Sequence, residues 1–374
     1  MDLLRFGASG LRWLRQSLRS APNTISSEAK PGEAWGETWA SLLCDRPTII
    51  GSWPSIGFPL GIASAIGPWL SNHPIEFLIM PSWAWELPDT HGPILTAAAG
   101  HVREHPRHRL SFLCNTPAQE PHFAEAGWPA VTFNTNMFMN ESTFRPLPDV
   151  KPIYDAIYNA RLVPDKRPEL AAGIERLCFI YFHSTFDSSV SDFHAEHARL
   201  RAIMPSATFV NRLTPEGCEQ LDPARVNLVL NQSRVGLCLS AIEGQMRASI
   251  EYMMAGLPIV STPSIGGRDY FYDDEYCAVV PADPRQLREA VGAMIARNIP
   301  RDYIRAKTMS RVERDRARFV AFVQAIIDRR GGSTDFSAHF STLLRANGLK
   351  PWTKVSDFTK TLESALQPGH RTAD

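Results

Sequence analysis

The chain has 374 residues, comfortable for two α/β domains and too long for one ordinary doubly wound domain. At 44% hydrophobic and 21% charged it falls in the range of soluble globular proteins, and 39 Lys plus Arg balance 39 Asp plus Glu. The resulting net charge of zero excludes a global attraction to nucleic acid or anionic membrane, so any anion site must be local.

The opening stretch, MDLLRFGASGLRWLRQSLRS, sets Arg5, Arg12, Arg15 and Arg19 among apolar residues. Its apolar runs are too short for a signal peptide. It reads as a docking or frayed helix; the alternative is a basic amphipathic helix touching the membrane surface, which Gly7 and Gly10 weaken. Residues 20–38 are polar and turn-rich, a linker or surface loop. Residues 49–70 carry no charge across 22 positions, long enough to span a bilayer, but Pro54, Pro59, Pro68 and four glycines would break such a helix. A buried strand, a glycine-rich loop and a short helix explain this segment better, and the chain is expected to be soluble and cytoplasmic. Six scattered cysteines without a CxxC pair predict buried free thiols rather than a disulfide or zinc framework.

Short apolar runs at PTIIGS, EFLIMPS, LSFLCNT and PAVTFN predict strands, with helices at PILTAAAGHV and AQEPHFAEAG between them. FRPLPDVKP reads as an interdomain linker. Beyond it, strands are predicted at IYDAIYN, LCFIYF, SATFV, VGLCLS, PIVST and YCAVVP. The helices between them fall at KRPELAAGIER, SDFHAEHARLRAIM, PARVNLVLNQ, MRASIEYMMAG and PRQLREAVGAMIARN. This alternation argues for α/β layers on mostly parallel sheets. The expected domains are 1–146, 147–330 and a helical tail, 331–374, packing back toward the first. After Pro300 the chain turns helical and charged.

Residues 240–267, SAIEGQMRASIEYMMAGLPIVSTPSIGG, are the most informative stretch. They begin where a strand ends and a helix starts, the place where open α/β sheets bind ligands. Glu243 and Glu251 are eight positions apart; on or beside one helix they would lie roughly 12 Å apart along its axis. That matches the reach from a sugar across a diphosphate to a ribose, and a carboxylate takes both hydroxyls of a vicinal diol. Between them, the amides of Gly244, Gln245, Met246 and Arg247 would sit at a helix N-terminus suited to a diphosphate.

This pattern resembles the donor-site motif of the retaining GT-B glycosyltransferases of family 4. EYMMAGLPIVST is similar to that family's EAMAAGLPVVAT, CAVVPADPRQLREAV to its downstream segment, and YNARLVPDKR to its glycine-arginine-leucine, proline, lysine-glycine segment. The likeness spans roughly residues 140–297. It implies two Rossmann-like doubly wound domains facing a central cleft, the first for acceptor and the second for a nucleotide-sugar donor. It also implies Arg161 and Lys166 on the donor phosphates and Asn159 near them. With Glu243 on the sugar, Arg161 and Lys166 form the expected catalytic group. The activity implied is transfer of a hexose-type sugar from a UDP- or GDP-sugar to a glycan or glycolipid, with retention, by a metal-independent front-face route without a separate cofactor.

The chain departs from the family at Asn159–Ala160, where a glycine is usual, and at GQMR, where glycine-phenylalanine-glycine is commoner. Arg247 and Arg268–Asp269 would suit an acidic or otherwise distinctive sugar, although Arg268 reads first as a structural or interdomain charge pair. Asp273–Asp274–Glu275 reads as a solvated turn, and His101, His105 and His108 as a solvated basic loop rather than a metal site. On the acceptor side Trp83, Trp85, Glu86, His91 and Asn115 are the candidates, weighed equally against aromatic core packing. Two other classes would reuse the same donor grip: a nucleotide-sugar epimerase or hydrolase, and a non-catalytic binding module. A dinucleotide oxidoreductase is disfavoured because neither half shows a glycine-rich fingerprint after its first strand.

Overall fold

The structure is a computed structural model that describes residues 39–54, 58–80, 83–185, 188–345, 348–349 and 362. The helix expected at the N-terminus and the linker or surface loop expected at 20–38 lie outside the described residues. Two compact units emerge. One comprises the residues up to Phe138 together with those from Asp315 onward; the other is Met139–Arg314.

In the first unit the strands β1 (Trp39–Cys44), β2 (Thr48–Trp53), β3 (Ile75–Ile79), β4 (Arg109–Cys114) and β5 (Ala130–Thr132) form one sheet in chain order. β1, absent from the predicted strands, returns antiparallel on β2, and the other pairs are parallel. Between β2 and β3 the uncharged segment makes a turn at 58–61, where Gly61 N–H donates to Phe58 O at 2.8 Å, and then helix α1 (Ile62–Leu70), with Pro68 inside it. Gly61 makes the turn possible: its φ is +61°, and a Cβ there would lie 2.2 Å from the Trp53 carbonyl oxygen. Helices α2 (Pro88–Glu104) and α3 (Glu120–Ala124) follow β3 and β4. Because the strand order never reverses, all three helices cover one face. Ile62, Ile66, Ile94 and Phe123 share a single core with Ile75, Phe77, Ile79 and Phe112.

Strand alternation sends Glu76 to the opposite face, where it pairs with Arg330 at 2.7 Å. The C-terminal part of the chain supplies this side. Phe319 packs on Phe133 and Phe138, at 5.6 and 5.0 Å between ring centroids.

The second unit holds six parallel strands in the order β13-β12-β11-β6-β7-β8. They are β6 (Tyr154–Asn159), β7 (Leu177–Ile180), β8 (Thr208–Phe209), β11 (Ser233–Cys238), β12 (Ile259–Ser261) and β13 (Cys277–Val279), with a small hairpin of β9 (Leu213–Thr214) and β10 (Gly217–Cys218). From β6 the chain steps outward through β7 and β8. From β11 it steps the other way, so the order reverses between the neighbours β6 and β11.

The connecting helices are α4 (Val190–Ile203), α5 (Pro223–Asn231), α6 (Arg247–Met254) and α7 (Pro284–Arg297). Three begin at side-chain caps: Ser189, Asp222 and Asp283 accept the amides of Asp192, Arg225 and Gln286. The helix expected at KRPELAAGIER does not form. Pro164 and Pro168 restrict the backbone, Arg167 adopts φ +49°, and two 3-10 turns (Pro164–Lys166 and Pro168–Ala171) replace it.

Helix α8 (Arg301–Arg329) starts in this unit, and α9 (Phe336–Leu343) follows in the first. Arg301 and Arg305 donate to Ala255 O and Met254 O at 3.2 and 2.7 Å, satisfying carbonyls that the end of α6 leaves open. No described helix is long and apolar enough to cross a membrane.

Candidate donor site

In an open parallel sheet, loops leaving two adjacent strands in opposite directions open a crevice at the strands' carboxyl ends. In the second unit those strands are β6 and β11, and the candidate residues gather on their loops. Tyr158, near the end of β6, is buried and donates its hydroxyl to Lys166 O at 2.6 Å, fixing the turn that carries the lysine. Lys166 Nζ forms an ion pair with Glu243 Oε1, and Ser240 Oγ donates to the same oxygen at 2.7 Å. Their side chains are 9% and 8% exposed. Burial pushes the Glu243 carboxyl up, but Lys166, the Ser240 hydroxyl and the nearby Arg161 outweigh it and hold the group below its ordinary value. Arg161, half-buried, therefore acts on the same carboxylate as Lys166.

Glu243 precedes the helix rather than lying on it. Its amide donates to Ile265 O at 3.0 Å, and Gly267 N–H donates to Gly244 O at 2.6 Å, so the glutamate loop is joined to the SIGG loop. Helical rise thus does not set the separation of the two glutamates. Gln245 and Met246 complete the loop. Met246 takes φ +43°, an uncommon conformation for a side chain with a Cβ, and its carbonyl accepts from Ser249 Oγ at 2.9 Å. Arg247, exposed, opens α6.

Glu251 lies within α6, 8% exposed, and Asn159 Nδ2 donates to its Oε2 at 3.2 Å. Burial pushes its carboxyl up to about 7 against the opposing effects of Arg247 and Asn159. The structure thus brings Arg161, Lys166 and Glu243 together at one point of the crevice, and Asn159, Glu251 and Arg247 at another.

Several residues here escaped the sequence reading. Arg167 donates to Leu239 O at 2.6 Å and to Thr262 Oγ1 at 2.7 Å, bridging the ends of β11 and β12. It stands beside Lys166, but the expected helix concealed it. Tyr158, Ser240 and Tyr252 carried no local signal. Arg268 is a buried structural arginine: its guanidinium donates to Cys238 O, Ser240 O and Thr262 O, and it pairs with Asp269. It is therefore not the sugar-selecting cation weighed for that position.

The first-unit candidates separate by burial. Trp85 is 2% exposed and packs against Phe112 and Phe123, so its ring is core rather than a stacking platform for sugar. Asn115 is fully buried, and its backbone N–H donates to Gln119 Oε1 at 2.8 Å. Glu86 accepts from Thr116 Oγ1 and Gln119 Nε2 at 2.6 and 2.9 Å. His91 stacks on His122 at 4.2 Å with its Nδ1 on Trp85 O, and Trp83, like Glu86 and His91, is partly exposed.

One sequence reading is corrected. His101, His105 and His108 are buried rather than solvated: His101 Nε2 and His108 Nδ1 lie 3.0 Å apart, and His105 Nδ1 meets Ser71 Oγ at 2.8 Å. Asp273–Asp274–Glu275 is the solvated turn expected, with Asp274 and Glu275 exposed and Glu275 paired with Lys307. Among the described residues no His, Cys, Asp and Glu group is arranged to hold a metal.

No family model and no curated protein matches this chain. Solved structures do. Anabaena Alr3699/HepE in complex with UDP aligns at 13% identity over 73% of this chain and 84% of its own, with a TM-score of 0.50. The pneumococcal O-GlcNAc transferase GtfA in complex with UDP and GlcNAc aligns at 14% over 71% of this chain and 55% of its own, also at 0.50. At these identities the likeness concerns the fold, which is the GT-B fold with two Rossmann-like α/β units.

Proposed function

We propose that this chain is a retaining glycosyltransferase whose second unit binds a nucleotide-sugar donor, a UDP- or GDP-hexose, and passes the sugar to a glycan or glycolipid acceptor. The observation that carries the reading is the convergence of Arg161, Lys166, Glu243, Asn159 and Glu251 on the crevice between β6 and β11. The phosphate cation and the sugar carboxylate adjoin each other, as the two sides of a sugar–phosphate bond require.

When that bond breaks, negative charge grows on the departing diphosphate and positive charge on the sugar carbon. Arg161 offers a planar guanidinium and Lys166 a compact charge to the phosphates, while the N-terminus of α6 directs amide dipoles toward them. Glu243, held ionised by Lys166, accepts from sugar hydroxyls, and Glu251 accepts the ribose diol. In the front-face route the departing phosphate takes the acceptor proton, so no protein nucleophile is required. The complexes of HepE with UDP and of GtfA with UDP and GlcNAc support a uridine donor as the first to try.

The test is a thermal-shift panel of UDP, GDP and their sugars, followed by assay of nucleotide release with and without EDTA and of product configuration. A ligand at about 100 times its dissociation constant adds about 2.7 kcal/mol of stability. Stabilisation by a nucleotide sugar, with EDTA-insensitive release and a retained anomer, is expected. Nucleotide binding without turnover on any acceptor would favour a binding module, and a hydrolysed or epimerised sugar the other enzyme class. No stabilisation by any nucleotide would overturn the reading.

A further inference from the structure

The carboxylate proposed for the ribose is held by a chain of contacts that runs through the sheet. Gly236 of β11 leaves space for the Tyr252 ring; a Cβ there would come within 2.3 Å of it, so the ring rests directly on the strand backbone. Tyr252 is wholly buried, and its hydroxyl oxygen accepts the Asn159 backbone N–H at 2.6 Å. Asn159 is the last residue of β6, and from that anchored backbone its Nδ2 reaches Glu251 Oε2 at 3.2 Å. Tyr252 and Glu251 are neighbours on α6, so the loop closes on itself: α6 fixes Asn159, and Asn159 fixes a carboxylate of α6.

Resting on the nucleotide-sugar reading of this site, we infer that Asn159 and Tyr252 are positioning residues, which orient the Glu251 carboxylate and keep it ionised for a vicinal diol. A carboxylate offers about four acceptor sites. The Asn159 amide occupies one on Oε2 and sets the plane of the group, leaving the other sites to meet a pair of hydroxyls. An amide donor also favours the charged carboxylate over the neutral acid. The groups acting on Glu251 are few: Asn159 from β6 and Arg247 from α6, both opposing a burial that has brought it to about 7. Glu251 in turn raises the Tyr252 hydroxyl further above its ordinary value, which burial has already lifted, so the hydroxyl stays protonated throughout the working range. With Glu251 balanced near neutrality, the loss of one stabilising donor changes which form is present.

The experiment is titration calorimetry of the full chain with UDP-glucose between pH 6 and 9. UDP-glucose is preferred to UDP because a terminal phosphate itself takes up a proton at about pH 6. For the unmodified protein, binding should tighten as pH rises and level off above about 7. In Asn159→Ala the levelling point should move up by about one pH unit, a loss of about fivefold near pH 7 that approaches tenfold at pH 6 and largely recovers by pH 9. Asn159→Asp, which places a like charge beside Glu251, should move it further. Glu251→Gln should bind weakly with no such pH dependence, and Tyr252→Phe should weaken binding while Asn159 is retained.

A uniform loss at every pH in both Asn159 variants, or no loss, would overturn the positioning role while leaving the donor reading in place. Failure of the unmodified protein to bind UDP-glucose, UDP or a GDP-sugar at any pH would overturn both. Melting temperatures of all variants, measured in the same buffers, separate a folding defect from a binding defect.

Discussion

Lys166 and Glu243 stand 77 positions apart and meet as a buried ion pair, one from the loop after β6 and the other from the loop after β11. A buried pair adds little net stability compared with apolar packing, but removing one partner leaves an uncompensated charge. Lys166→Met should therefore cost about 3–5 kcal/mol in urea unfolding, and the Lys166→Met, Glu243→Met double variant should recover much of that loss. A separate variant, Lys166→Ala, should depress turnover more than UDP binding. Unchanged turnover would remove the lysine from the proposed chemistry.

The Glu243 carboxyl also makes a pH prediction. Its folded value is depressed, so its contribution to stability is present above the ordinary carboxylate range and is lost as pH falls through that depressed value. Glu243→Gln should flatten the acid limb of a stability-versus-pH curve followed by circular dichroism. An unchanged acid limb would contradict the electrostatic assignment.

The histidine cluster of the first unit acts at higher pH. Burial lowers His101 to about 3, with His108 and His105 adding to the effect, and burial lowers both of those as well. The folded state thus prefers neutral rings, while the unfolded chain takes up protons near its ordinary value of 6.5. Stability from this cluster is complete above that value and falls as pH drops below it. Melting temperature should decline between pH 7 and 5, and His101→Phe should reduce the slope even if it lowers the plateau. An identical slope in the variant would count against the cluster.

Met246 reverses an ordinary ranking. In a helix glycine is less stable than alanine, but at φ +43° alanine keeps the Cβ clash and glycine escapes it. Met246→Gly should be more stable than Met246→Ala by about 1 kcal/mol in urea unfolding. If alanine is the more stable, the loop conformation is wrong.

Arg268 should tolerate little. Its side chain is fully buried and ties together the carbonyls at the ends of β11 and β12. Arg268→Lys loses the fork geometry and should still cost at least about 2 kcal/mol, with weaker donor binding because the Glu243 loop rests on Ser240. Full stability in the lysine variant would show that charge alone suffices.

Much of this architecture was written locally. Short apolar runs located β2 to β8 and β11 to β13, the caps Ser189, Asp222 and Asp283 stand where helices begin, and the spacing of Glu243 and Glu251 marked the candidate site. Other features were set by partners remote in sequence. Trp85 packs in a core, the three histidines are enclosed, Arg268 became a structural clamp, and Tyr252 reaches Asn159 across 93 positions. Periodicity and capping act over two to four neighbours, so a linear reading can recover them. Burial and hydrogen-bond partnership depend on which strands adjoin in the sheet, and only the tertiary arrangement decides that β6 lies beside β11.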